Sequence, residues 1–585
     1  MLLLMLLLAC QGEKVGGVAD TQRPNFLIIQ ADDLGYDDLA LHGNRYLATP
    51  HLDRLGSEGI RFDRFYVNAV CAPTRASLLT GQHFLRTGVS HVHGGKDYLA
   101  RSIPTLADHF AEAGYVCGMW GKWHSGKAEG YYPWQRGFHE AFQSRLYQHR
   151  RAGGRLNGQP VQTEKWSDEL LVDYALRFME AHRDTNFVAY LSSLTCHEPL
   201  DAPPAAIQPY LDQGLPEGLA TLYGMVHHFD QQIGRLLAGM EQLGLMEETL
   251  IVFLSDNGPA VNNRALAEHG RRLRKVNGYK GWKGNLWENG LRSPLFVYWK
   301  DHLPAYRRRE LVSVTDILPT LLDLAGASPL DAAEFDGQPF TRLLSKKAAP
   351  NWNNTHFDFV QPGWQPTDAP WTPEGVGDEY APVEMEKAQL KAEEQPLAVV
   401  TEAYKWIQHP GPAEGYELPL PDQVLFDLNS DPTESVNLAD SLPATAQAMQ
   451  ARAQHWFEGI KAGQHSFKGP TFTIQAIGTS RLALYAPIEV QGNLRVAFNF
   501  LHQLKKGSAA AYRIEVEEAG RYAVRFAPSA VEGSYVISTE DGHSVQLPAD
   551  TAPVLPLRKG LQTLTLRLLH SFPGGELRYL ELRRE

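Results

Sequence analysis

A short segment beginning at Cys71 combines a thiol, a proline and a cationic side chain at the start of a predicted helix. Pro73 suits an early helical position, because its missing N–H would be unpaired there in any case. A helix N-terminus favours an anion, and Arg75 lies one turn from Cys71. The segment therefore predicts a site for an anionic group, although a lone cysteine in a loop is more often structural.

Four further polar clusters each follow a short apolar run of the kind that forms a buried strand. The apolar runs are residues 26–29, 115–120, 187–191 and 250–254. The polar residues that follow them are, in order, Asp32 and Asp33, then Lys122 and His124, then His197, then Asp256 and Asn257. In open α/β sheets the ligand site lies beyond the carboxyl ends of the strands. The four clusters therefore predict one common site.

The residues at the ends of the first and fourth of these strands supply oxygen ligands and no imidazole. They are Asp32, Asp33, Asp256 and Asn257. Oxygen ligands suit a hard cation such as Ca²⁺ or Mg²⁺ better than Zn²⁺. Either pair is also compatible with an ordinary turn, since Asp pairs are commonly solvated and an Asn-Gly sequence is typical of turns.

The chain between these clusters alternates strand-like and helix-like segments. Predicted helices lie at 105–113, 168–181 with Ser167 as the N-cap, and 219–240, and a further strand at 295–299. This alternation is typical of an α/β domain with a mostly parallel sheet flanked by helices. From Gly469 onward, segments that alternate apolar and polar residues predict a β-sandwich instead; they are 512–516, 521–526, 561–568 and 577–582.

Together these segments resemble the type I sulfatases, within the alkaline-phosphatase-like superfamily. The family signature is Cys-x-Pro-x-Arg followed by Ala-Ser-Leu-Leu-Thr-Gly, and the chain carries it from Cys71 to Gly81. The other matching segments are 31–36, 121–124, 136–138, 197–199, 255–258, 280–294, 315–320 and 425–437. The resemblance covers about Pro24 to Leu438. Its departures are Asp37 and Asn289 where the family has glycine, and Phe426 where it has tyrosine.

The resemblance implies that Cys71 is oxidised to formylglycine (3-oxoalanine) by a sulfatase-maturating enzyme. It implies that Ca²⁺ is held by Asp32, Asp33, Asp256, Asn257 and the modified Cys71. It also implies the catalytic residues, which are Cys71, Arg75, Lys122, His124, His197 and Lys283. Lys280 is the alternative to Lys283 as the catalytic lysine of segment 280–294, and the spacing to Glu288 and Arg292 favours Lys283.

The roles that the resemblance implies follow one reaction cycle. A hydroxyl of the hydrated formylglycine attacks sulfur, and Arg75, Lys122 and Lys283 stabilise the charge on the sulfuryl oxygens. His197 protonates the departing oxygen with assistance from Lys283, and His124 then removes the proton whose loss releases sulfate. The expected activity is hydrolysis of a sulfate monoester on a sulfated oligosaccharide or polysaccharide.

Two alternatives of different kinds remain. A formylglycine-dependent phosphonate monoester or phosphodiester hydrolase shares the Cys-x-Pro-x-Arg motif, but is expected to carry Asp-His where this chain has Asp256-Asn257. A non-catalytic, glycan-binding surface lipoprotein would leave Cys71 unmodified. A zinc phosphodiesterase of the same fold would need a Thr or Ser nucleophile and several His ligands, and the motifs supply neither.

The 585-residue length predicts several domains. We expect a lipoprotein-type signal and tether at 1–20, a catalytic α/β domain at 21–345, a small antiparallel subdomain at 346–462 and a β-sandwich at 468–585. The segment ending in Cys10 resembles a bacterial lipobox, with a plain signal peptide as the alternative. The resemblance to exported sulfatases then predicts a periplasmic or outer-membrane-anchored bacterial protein that contacts the membrane only through its lipid.

Charge and cysteine content limit the partners. A net charge of −12 with no basic block argues against nucleic acid. It also provides no general attraction for sulfated polymers, so anion recognition must be local. Cys117 and Cys196 are expected to be buried thiols, although a disulfide between them is open. The β-sandwich weakly resembles carbohydrate-binding jelly rolls, and a structural or dimerising role is an equal alternative.

Overall fold

The computed structural model describes residues 23–585 apart from short internal gaps. The gaps are 261–265, 267, 331–333, 347–348, 350, 361–386, 417–419, 497–498, 528–532, 549–550 and 573–574. The predicted lipidation site Cys10 and most of the proline- and tryptophan-rich segment 361–395 lie outside the described residues. No helix in the described ranges is long and apolar enough to cross a membrane.

The main domain is built on an eleven-stranded sheet whose centre is parallel. Its strands are β1 (Asn25–Ala31), β2 (Ile60–Tyr66), β3 (Val116–Gly121), β4 (Glu140–Ser144), β5 (Gly153–Leu156), β6 (Gln159–Gln162), β7 (Phe187–Ser192), β8 (Thr249–Ser255), β9 (Arg292–Tyr298), β10 (Tyr306–Arg308) and β11 (Val312–Ser313). The order is β10-β2-β9-β8-β1-β7-β3-β4-β5-β6, with β11 beside β2. The predicted mostly parallel α/β fold is confirmed.

Helices cover both faces of this sheet. They are α1 (Pro50–Glu58), α2 (Cys71–Thr80), α3 (Leu106–Glu112), α4 (Ser167–Ala181), α5 (Pro204–Leu211), α6 (Glu217–Gln242), α7 (Glu268–Arg274), α8 (Glu288–Leu291) and α9 (Ile317–Ala325). Alternate residues of β1 enter opposite cores, because successive strand side chains point to opposite faces. Leu27 and Ile29 pack with α4 and α6, whereas Phe26 and Ile28 pack with α3 and α9.

One predicted helix boundary is off by a residue. Helix α4 includes Ser167, which was expected to be its N-cap, and the N-cap is Trp166. The Trp166 backbone N–H donates to the Glu169 carboxylate over 3.1 Å. A carboxylate at the third helical position can satisfy the N-cap amide in this way, and that pairing is visible in the sequence only when the boundary is known.

A second, four-stranded antiparallel sheet packs against the helix that begins at Cys71. Its strands are β12 (His356–Phe359), β13 (Leu397–Val400), β14 (Tyr404–Gln408) and β15 (Gln423–Asp427), and they are followed by α10 (Pro443–Lys461). One face of this small sheet buries Trp406 against Ala72 and Ala76 of α2 and against α10. The opposite face buries Ile407 against Leu286 and Trp287.

The C-terminal part of the chain forms the expected β-sandwich. Its strands are β16 (Thr471–Ile474), β17 (Thr479–Ala483), β18 (Glu489–Gln491), β19 (Arg495–Val496), β20 (Leu501–His502), β21 (Ala509–Val516), β22 (Gly520–Ala527), β23 (Tyr535–Thr539), β24 (Ser544–Leu547), β25 (Val554–Leu557), β26 (Gly560–Leu568) and β27 (Tyr579–Arg584). One sheet has the order β16-β21-β26-β23-β24, and the other has β17-β27-β22-β25.

The sandwich shares its hydrophobic core with the main domain. Tyr98, Ala128 and Tyr131 belong to the main domain, yet they are buried in the same cluster as the inner faces of the two sandwich sheets. The Tyr98 ring meets Phe472 edge-on at 5.6 Å, and the Tyr131 hydroxyl donates to the Thr471 carbonyl over 3.0 Å. The sandwich is therefore packed into the catalytic domain rather than tethered to it.

This shared core predicts that Phe472→Ala weakens both stability and catalysis. Removing a buried phenylalanine from a core costs about 3–5 kcal/mol of unfolding free energy. The Phe472 ring supports Tyr98, whose neighbour Asp97 lies 3.9 Å from a ring nitrogen of His124. We expect a lower thermal midpoint and a lower turnover measured well below that midpoint. Phe526→Ala, inside the sandwich, is the matched control and should affect only stability; equal turnover in both variants would contradict the coupling.

Candidate functional site

The site begins where the central strand β1 ends. Asp32 keeps close to the strand path, and its backbone N–H donates to the Thr195 carbonyl over 2.7 Å. Asp33 then takes a left-handed backbone conformation with φ of 62°, which is uncommon for a residue other than glycine. The chain thus leaves the strand between the two residues. As a result both carboxylates point into one buried site, as the sequence required.

Lys122 reaches the Asp32 carboxylate from the end of β3. Its Nζ lies 2.9 and 2.7 Å from the two Asp32 oxygens, and its side chain is only 1% exposed. Gly121 permits this approach: it has φ of +122°, and a Cβ there would lie 1.7 Å from the Ser192 carbonyl oxygen. Glycine is therefore required immediately before the lysine.

Helix α2 positions Cys71 and Arg75 in the same site as Asp32 and Lys122. Helix α2 begins at Cys71, as predicted. The Arg75 guanidinium is fully buried and donates to Asp256 Oδ2 over 2.9 Å from Nε and 2.7 Å from Nη2. It also donates to the Lys122 carbonyl and to the Ser192 hydroxyl. The arginine thus joins helix α2 to the ends of three strands.

Asp256 and Asn257 follow β8 and face the residues of β1. Asp256 Oδ1 accepts from the Asp33 backbone N–H over 3.2 Å. The Asn257 side-chain amide donates to Asp33 Oδ1 and to the Gly258 carbonyl, each over 2.8 Å. Because both amide hydrogens are used in this way, the Asn257 carbonyl oxygen must point elsewhere. That oxygen is buried, and no donor among the described residues forms a hydrogen bond with it.

His124 lies directly against Cys71. Its Nε2 donates to the Val92 carbonyl over 2.7 Å, so the proton is on Nε2 and Nδ1 carries the lone pair. That Nδ1 lies 3.3 Å from the Cys71 sulfur. Burial lowers the pKa of His124 well below its usual value, and the positive charge of Lys122 lowers it further. The imidazole is therefore neutral and faces position 71 as a proton acceptor.

His197 and Lys283 lie on the other side of the site and both face Asp33. Lys283 Nζ lies 2.7 Å from Asp33 Oδ1, whereas His197 Nε2 lies 3.7 Å from Asp33 Oδ2. His197 Nδ1 donates to the Glu198 carbonyl over 2.7 Å, which leaves Nε2 turned toward the site. The structure thus brings Lys283 into the site. Lys280, the competing lysine, is half-buried near Gly415.

Charge balance sets the protonation of the buried carboxylates. Burial alone would raise the pKa of Asp33, but chiefly the positive charge of Lys283 holds it well below its usual value. Burial and the neighbouring Asp32 raise the pKa of Asp256 to about 6, against the effect of Arg75. Asp256 therefore ionises less readily than an ordinary aspartate.

The residues present fit a hard divalent cation. Single ligand atoms of Asp32, Cys71 and Asp256 all lie within 4.8 Å of one another. Asp33 Oδ2 and Asn257 Oδ1 are buried, and no donor among the described residues forms a hydrogen bond with either atom. Buried polar atoms are seldom left without a partner. Three carboxylates and one amide oxygen match the ligand preferences of Ca²⁺.

Two residues that support the site were not found from the sequence. Arg274 of α7 is buried, with its Nε 2.8 Å from Asp38 Oδ1 and its Nη2 3.0 Å from the Asp33 carbonyl. Asp38 Oδ2 also accepts from the Gly35 backbone N–H over 2.7 Å. The pair fixes the loop that follows Asp33. Arg274 lies in the basic segment 271–275, whose composition is typical of a solvated surface. Nothing in the sequence therefore indicates that Arg274 is buried.

The predicted family is confirmed by comparison with known proteins. The sulfatase family model matches residues 24–327, just over half of the chain. The chain belongs to the sulfatase family. Human arylsulfatase A is 33% identical in an alignment of 366 positions that covers 56% of this sulfatase and 69% of the human protein. Bovine arylsulfatase A is 31% identical in an alignment of 483 positions that covers 75% of this sulfatase and 88% of the bovine protein.

Solved structures show the same fold at lower identity. A structure of Ps i-CgsB in complex with k-i-k-neocarrahexaose gives a TM-score of 0.63 at 22% identity, covering 76% of this sulfatase and 100% of that chain. A second structure, in complex with D-glucosamine-2-N,6-O-disulfate, gives 0.56 at 17% identity, covering 76% and 99%. A phosphonate monoester hydrolase gives 0.53 at 19% identity, covering 76% and 96%.

The family match makes this chain an enzyme that hydrolyses sulfate esters, so a non-catalytic binding protein is set aside. The structure places every predicted catalytic and metal-binding side chain in one buried cluster, Cys10 alone lying outside the described residues. Cys117 and Cys196 are both buried free thiols, which excludes the disulfide between them. The domain boundaries and the lipid anchor stay predictions.

The buried ion pair predicts a large stability cost for Arg274→Met. The substitution leaves the Asp38 carboxylate buried without its partner, which should cost about 3–5 kcal/mol of unfolding free energy. Arg274→Met with Asp38→Asn in the same chain should recover part of that loss. Urea unfolding provides the measurement, with Arg54→Met at the exposed pair with Glu58 as the control, expected to cost about 1 kcal/mol or less. A cost for Arg274→Met as small as that of the control would refute the supporting role.

Proposed function

We propose that this sulfatase hydrolyses a sulfate monoester on a sulfated oligosaccharide or polysaccharide, using a formylglycine made from Cys71 and a bound Ca²⁺. The observation that carries the proposal is the position of Cys71. It is 2% exposed at the first residue of α2, within reach of carboxylates, cations and a neutral imidazole at once. The Cys71 sulfur stands where an oxygen of the hydrated aldehyde would lie.

The maturation of Cys71 explains why a thiol lies in these surroundings. Burial raises the pKa of the Cys71 thiol above its usual value, although Lys122 and Lys283 oppose the shift. An unmodified cysteine would therefore be a poor nucleophile at neutral pH. Formylglycine, when hydrated, supplies two hydroxyl groups on one carbon, of which one can attack sulfur and the other can later lose its proton. A maturating enzyme is the implied partner.

Ca²⁺ would be held by Asp32, Asp33, Asp256 and Asn257, together with the modified residue 71. When bound, it supplies positive charge that polarises the sulfuryl group and favours the ionised nucleophile. The charges of the protein support this assignment. The three aspartates are matched by Arg75, Lys122 and Lys283, so a divalent cation would leave an excess of positive charge for an anionic sulfate ester.

The protein side chains divide the remaining work between two sides of the site. Lys122 and Arg75 hold the position-71 side and face the developing charge on the sulfuryl oxygens. His124 accepts a proton at Nδ1, because its Nε2 is already committed to Val92. His197 and Lys283 are on the Asp33 side, where we assign them to protonation of the departing sugar oxygen.

The carbohydrate class of the substrate is supported by relatives rather than by the site itself. The Ps i-CgsB structure contains k-i-k-neocarrahexaose, and another neighbour contains D-glucosamine-2-N,6-O-disulfate. A relative in dog is named N-acetylgalactosamine-6-sulfatase and is 30% identical over 370 residues. We extend that class of substrate to this chain. We also propose that the protein is exported and anchored through Cys10 in a bacterial membrane, on the basis of the lipobox-like N-terminus.

The phosphonate monoester or phosphodiester hydrolase alternative is weakened by Asn257. That class is expected to carry histidine here, and a histidine would replace an oxygen ligand by nitrogen. In this chain the Asn257 amide instead donates to Asp33 Oδ1, and its own oxygen is buried without a hydrogen bond from the described residues. The set of ligands therefore favours sulfate ester hydrolysis with a hard cation.

We expect Cys71→Ala to abolish sulfate release while the protein stays folded. The expressed wild-type enzyme should carry formylglycine, so the peptide containing residue 71 should lose sulfur and gain oxygen by mass spectrometry. Cys117→Ala, at a buried thiol of β3, is the matched control and should retain activity. An unmodified thiol at position 71, or turnover by Cys71→Ala near the wild-type rate, would overturn the proposal.

We expect Ca²⁺ to stabilise the metal-free enzyme and Asn257→Ala to lose this effect. Ligand at about 100 times its dissociation constant adds about 2.7 kcal/mol to the unfolding free energy. The measurement is the thermal midpoint after chelation, with Ca²⁺ or Zn²⁺ added back. Asn354→Ala, which removes a half-buried amide that donates to Asp316, is the control and should still respond to Ca²⁺. A response to Zn²⁺ alone would exclude the calcium assignment.

We expect His197→Ala to impair sugar sulfates more than an activated aryl sulfate. A general acid contributes about 10²–10⁴-fold when the leaving oxygen is basic, whereas a phenolate of low pKa departs without protonation. The measurement is kcat/KM for both substrates, compared as a ratio. His227→Ala, on α6 and hydrogen-bonded to Tyr210, is the control and should leave the ratio unchanged. Equal losses on both substrates in His197→Ala would remove the acid role.

A further inference from the structure

A basic cleft is lined by the loop between β4 and β5 and by the end of β6. It has a volume of about 580 Å³ and is lined by Arg145, Gln148, Arg150, Arg151 and Gln162. Ligand pockets typically have volumes of about 300–1,000 Å³. The cleft is therefore large enough for a sugar unit, and none of its residues belongs to the catalytic cluster.

The loop lies at the same edge of the sheet as the catalytic residues. Strand β4 runs parallel to β3, so its carboxyl end, where the loop begins, faces the same side as the end of β3 that carries Lys122. Two side chains of the loop touch His197 directly. The Tyr147 ring lies 4.9 Å from the His197 ring, and His149 Nε2 donates to the His197 carbonyl over 2.7 Å.

The residues that line the cleft are next in sequence to the two that contact His197. Arg145 is two residues before Tyr147, and Arg150 directly follows His149. Partial burial raises the pKa of the Tyr147 phenol to about 12, and the positive charge of Lys122 acts against that shift. Tyr147 is therefore close enough to the catalytic cluster to sense its charge while being 41% exposed.

Hydrogen bonds fix the backbone of the loop between β4 and β5, so its arginine side chains start from defined positions. The Ser167 backbone N–H donates to the His149 carbonyl over 2.7 Å, and the Gln148 side chain donates to the Arg151 carbonyl over 2.7 Å. Tyr147 and Arg151 both adopt left-handed backbone conformations, with φ of 64° and 53°. Such conformations cost free energy and are concentrated at functional sites.

The positive charge of the cleft is only partly neutralised. Arg151 pairs with Glu164 at 3.1 Å. In the described part of the chain, no carboxylate forms an ion pair with Arg145 or Arg150, and both residues are exposed. Arg145 contacts the Gln148 side-chain oxygen at 3.3 Å. In a protein of net charge −12, this is a local concentration of positive potential next to a site for an anionic ester.

We propose that Arg145 and Arg150 bind a second oxyanion of the substrate, on the sugar unit next to the one whose sulfate ester is cleaved. The oxyanion is a sulfate or a carboxylate, either of which matches the planar guanidinium donors. This inference rests on the proposed function, because it assumes a carbohydrate substrate. It deepens that proposal: the preferred substrate carries more than one negative charge, and the cleft selects it.

A sugar polyanion fits the cleft better than nucleic acid does. Binding to a nucleic acid backbone depends on many phosphate contacts along an extended basic surface. Here the positive charge is confined to one short loop, and the protein as a whole repels polyanions. A small oligosaccharide held at its reactive end by the catalytic residues brings only its neighbouring charge to the arginines.

The test compares Arg145→Gln/Arg150→Gln with the wild-type enzyme on three oligosaccharides of equal length. One carries only the scissile sulfate, one has a further sulfate on the adjacent sugar, and one has a carboxylate there. Charged hydrogen bonds of this kind are worth about tenfold in affinity. We expect the wild-type preference in kcat/KM for the doubly charged substrates to fall about tenfold in the variant. The sulfate and carboxylate substrates show which oxyanion the cleft accepts.

Arg183→Gln is the matched control. Arg183 is an exposed arginine beyond the C-terminal end of α4, about 20 Å along that helix from its start, and its substitution should leave the preference unchanged. The same oligosaccharides should also bind Cys71→Ala more weakly when the two cleft arginines are replaced, as measured by calorimetry. This binding measurement does not depend on turnover. Because the arginines are exposed, the part of the affinity that they contribute should fall as the ionic strength rises.

The outcomes separate the two proposals. If the wild-type enzyme releases sulfate from none of the oligosaccharides, the proposed function fails. If it cleaves them but the preference is the same in the double variant, or falls equally in Arg183→Gln, the cleft proposal is overturned and the proposed function stands. If a short nucleic acid competed with the doubly charged substrate for the wild-type enzyme but not for the double variant, the cleft proposal would be overturned in favour of a different polyanion.

Discussion

The whole structure depends on a cluster of opposite charges buried at the carboxyl edge of the central sheet. Asp32 with Lys122 and Asp256 with Arg75 are almost completely removed from water. Burying such pairs carries a large desolvation cost, which is offset only by close geometry and further hydrogen bonds. The surrounding fold therefore has to keep these charged groups at short, fixed distances from one another. Arg274 and Gly121 help to fix these distances, although neither takes part in the reaction.

The small antiparallel sheet performs a similar task from the opposite direction. Its one face packs on the helix of Cys71 and its other face packs beside the segment that carries Lys283. A second buried charge network secures the contact, in which Lys405 lies 3.1 Å from Glu288 and 2.8 Å from Glu434. Cys71 and the segment that carries Lys283 thus share one support. Movement of that sheet would change their separation, even though it contributes no reacting group.

Much of the fold and site was predictable because the relevant signals are local. Buried parallel strands appear as continuous apolar runs, and the residues that follow them mark the functional edge of the sheet. What could not be predicted depends on contacts between distant segments. Arg274 appears in a basic run that resembles solvated surface, yet it folds onto Asp38. The loop at Tyr147 and His149 carries no motif, and only the path of β4 brings it to His197.

The common core of the sandwich and the catalytic domain has a consequence for how this enzyme can change over evolutionary time. Accessory domains on flexible linkers can be gained, lost or exchanged without disturbing the enzyme that they accompany. Here Tyr98 and Tyr131 would be stripped of their packing if the sandwich were lost. Loss of the sandwich would therefore uncover side chains of the catalytic domain. A substitution in the sandwich that removes the packing of Tyr98 or Tyr131 is thus subject to selection through the catalytic domain, even where it contacts no substrate.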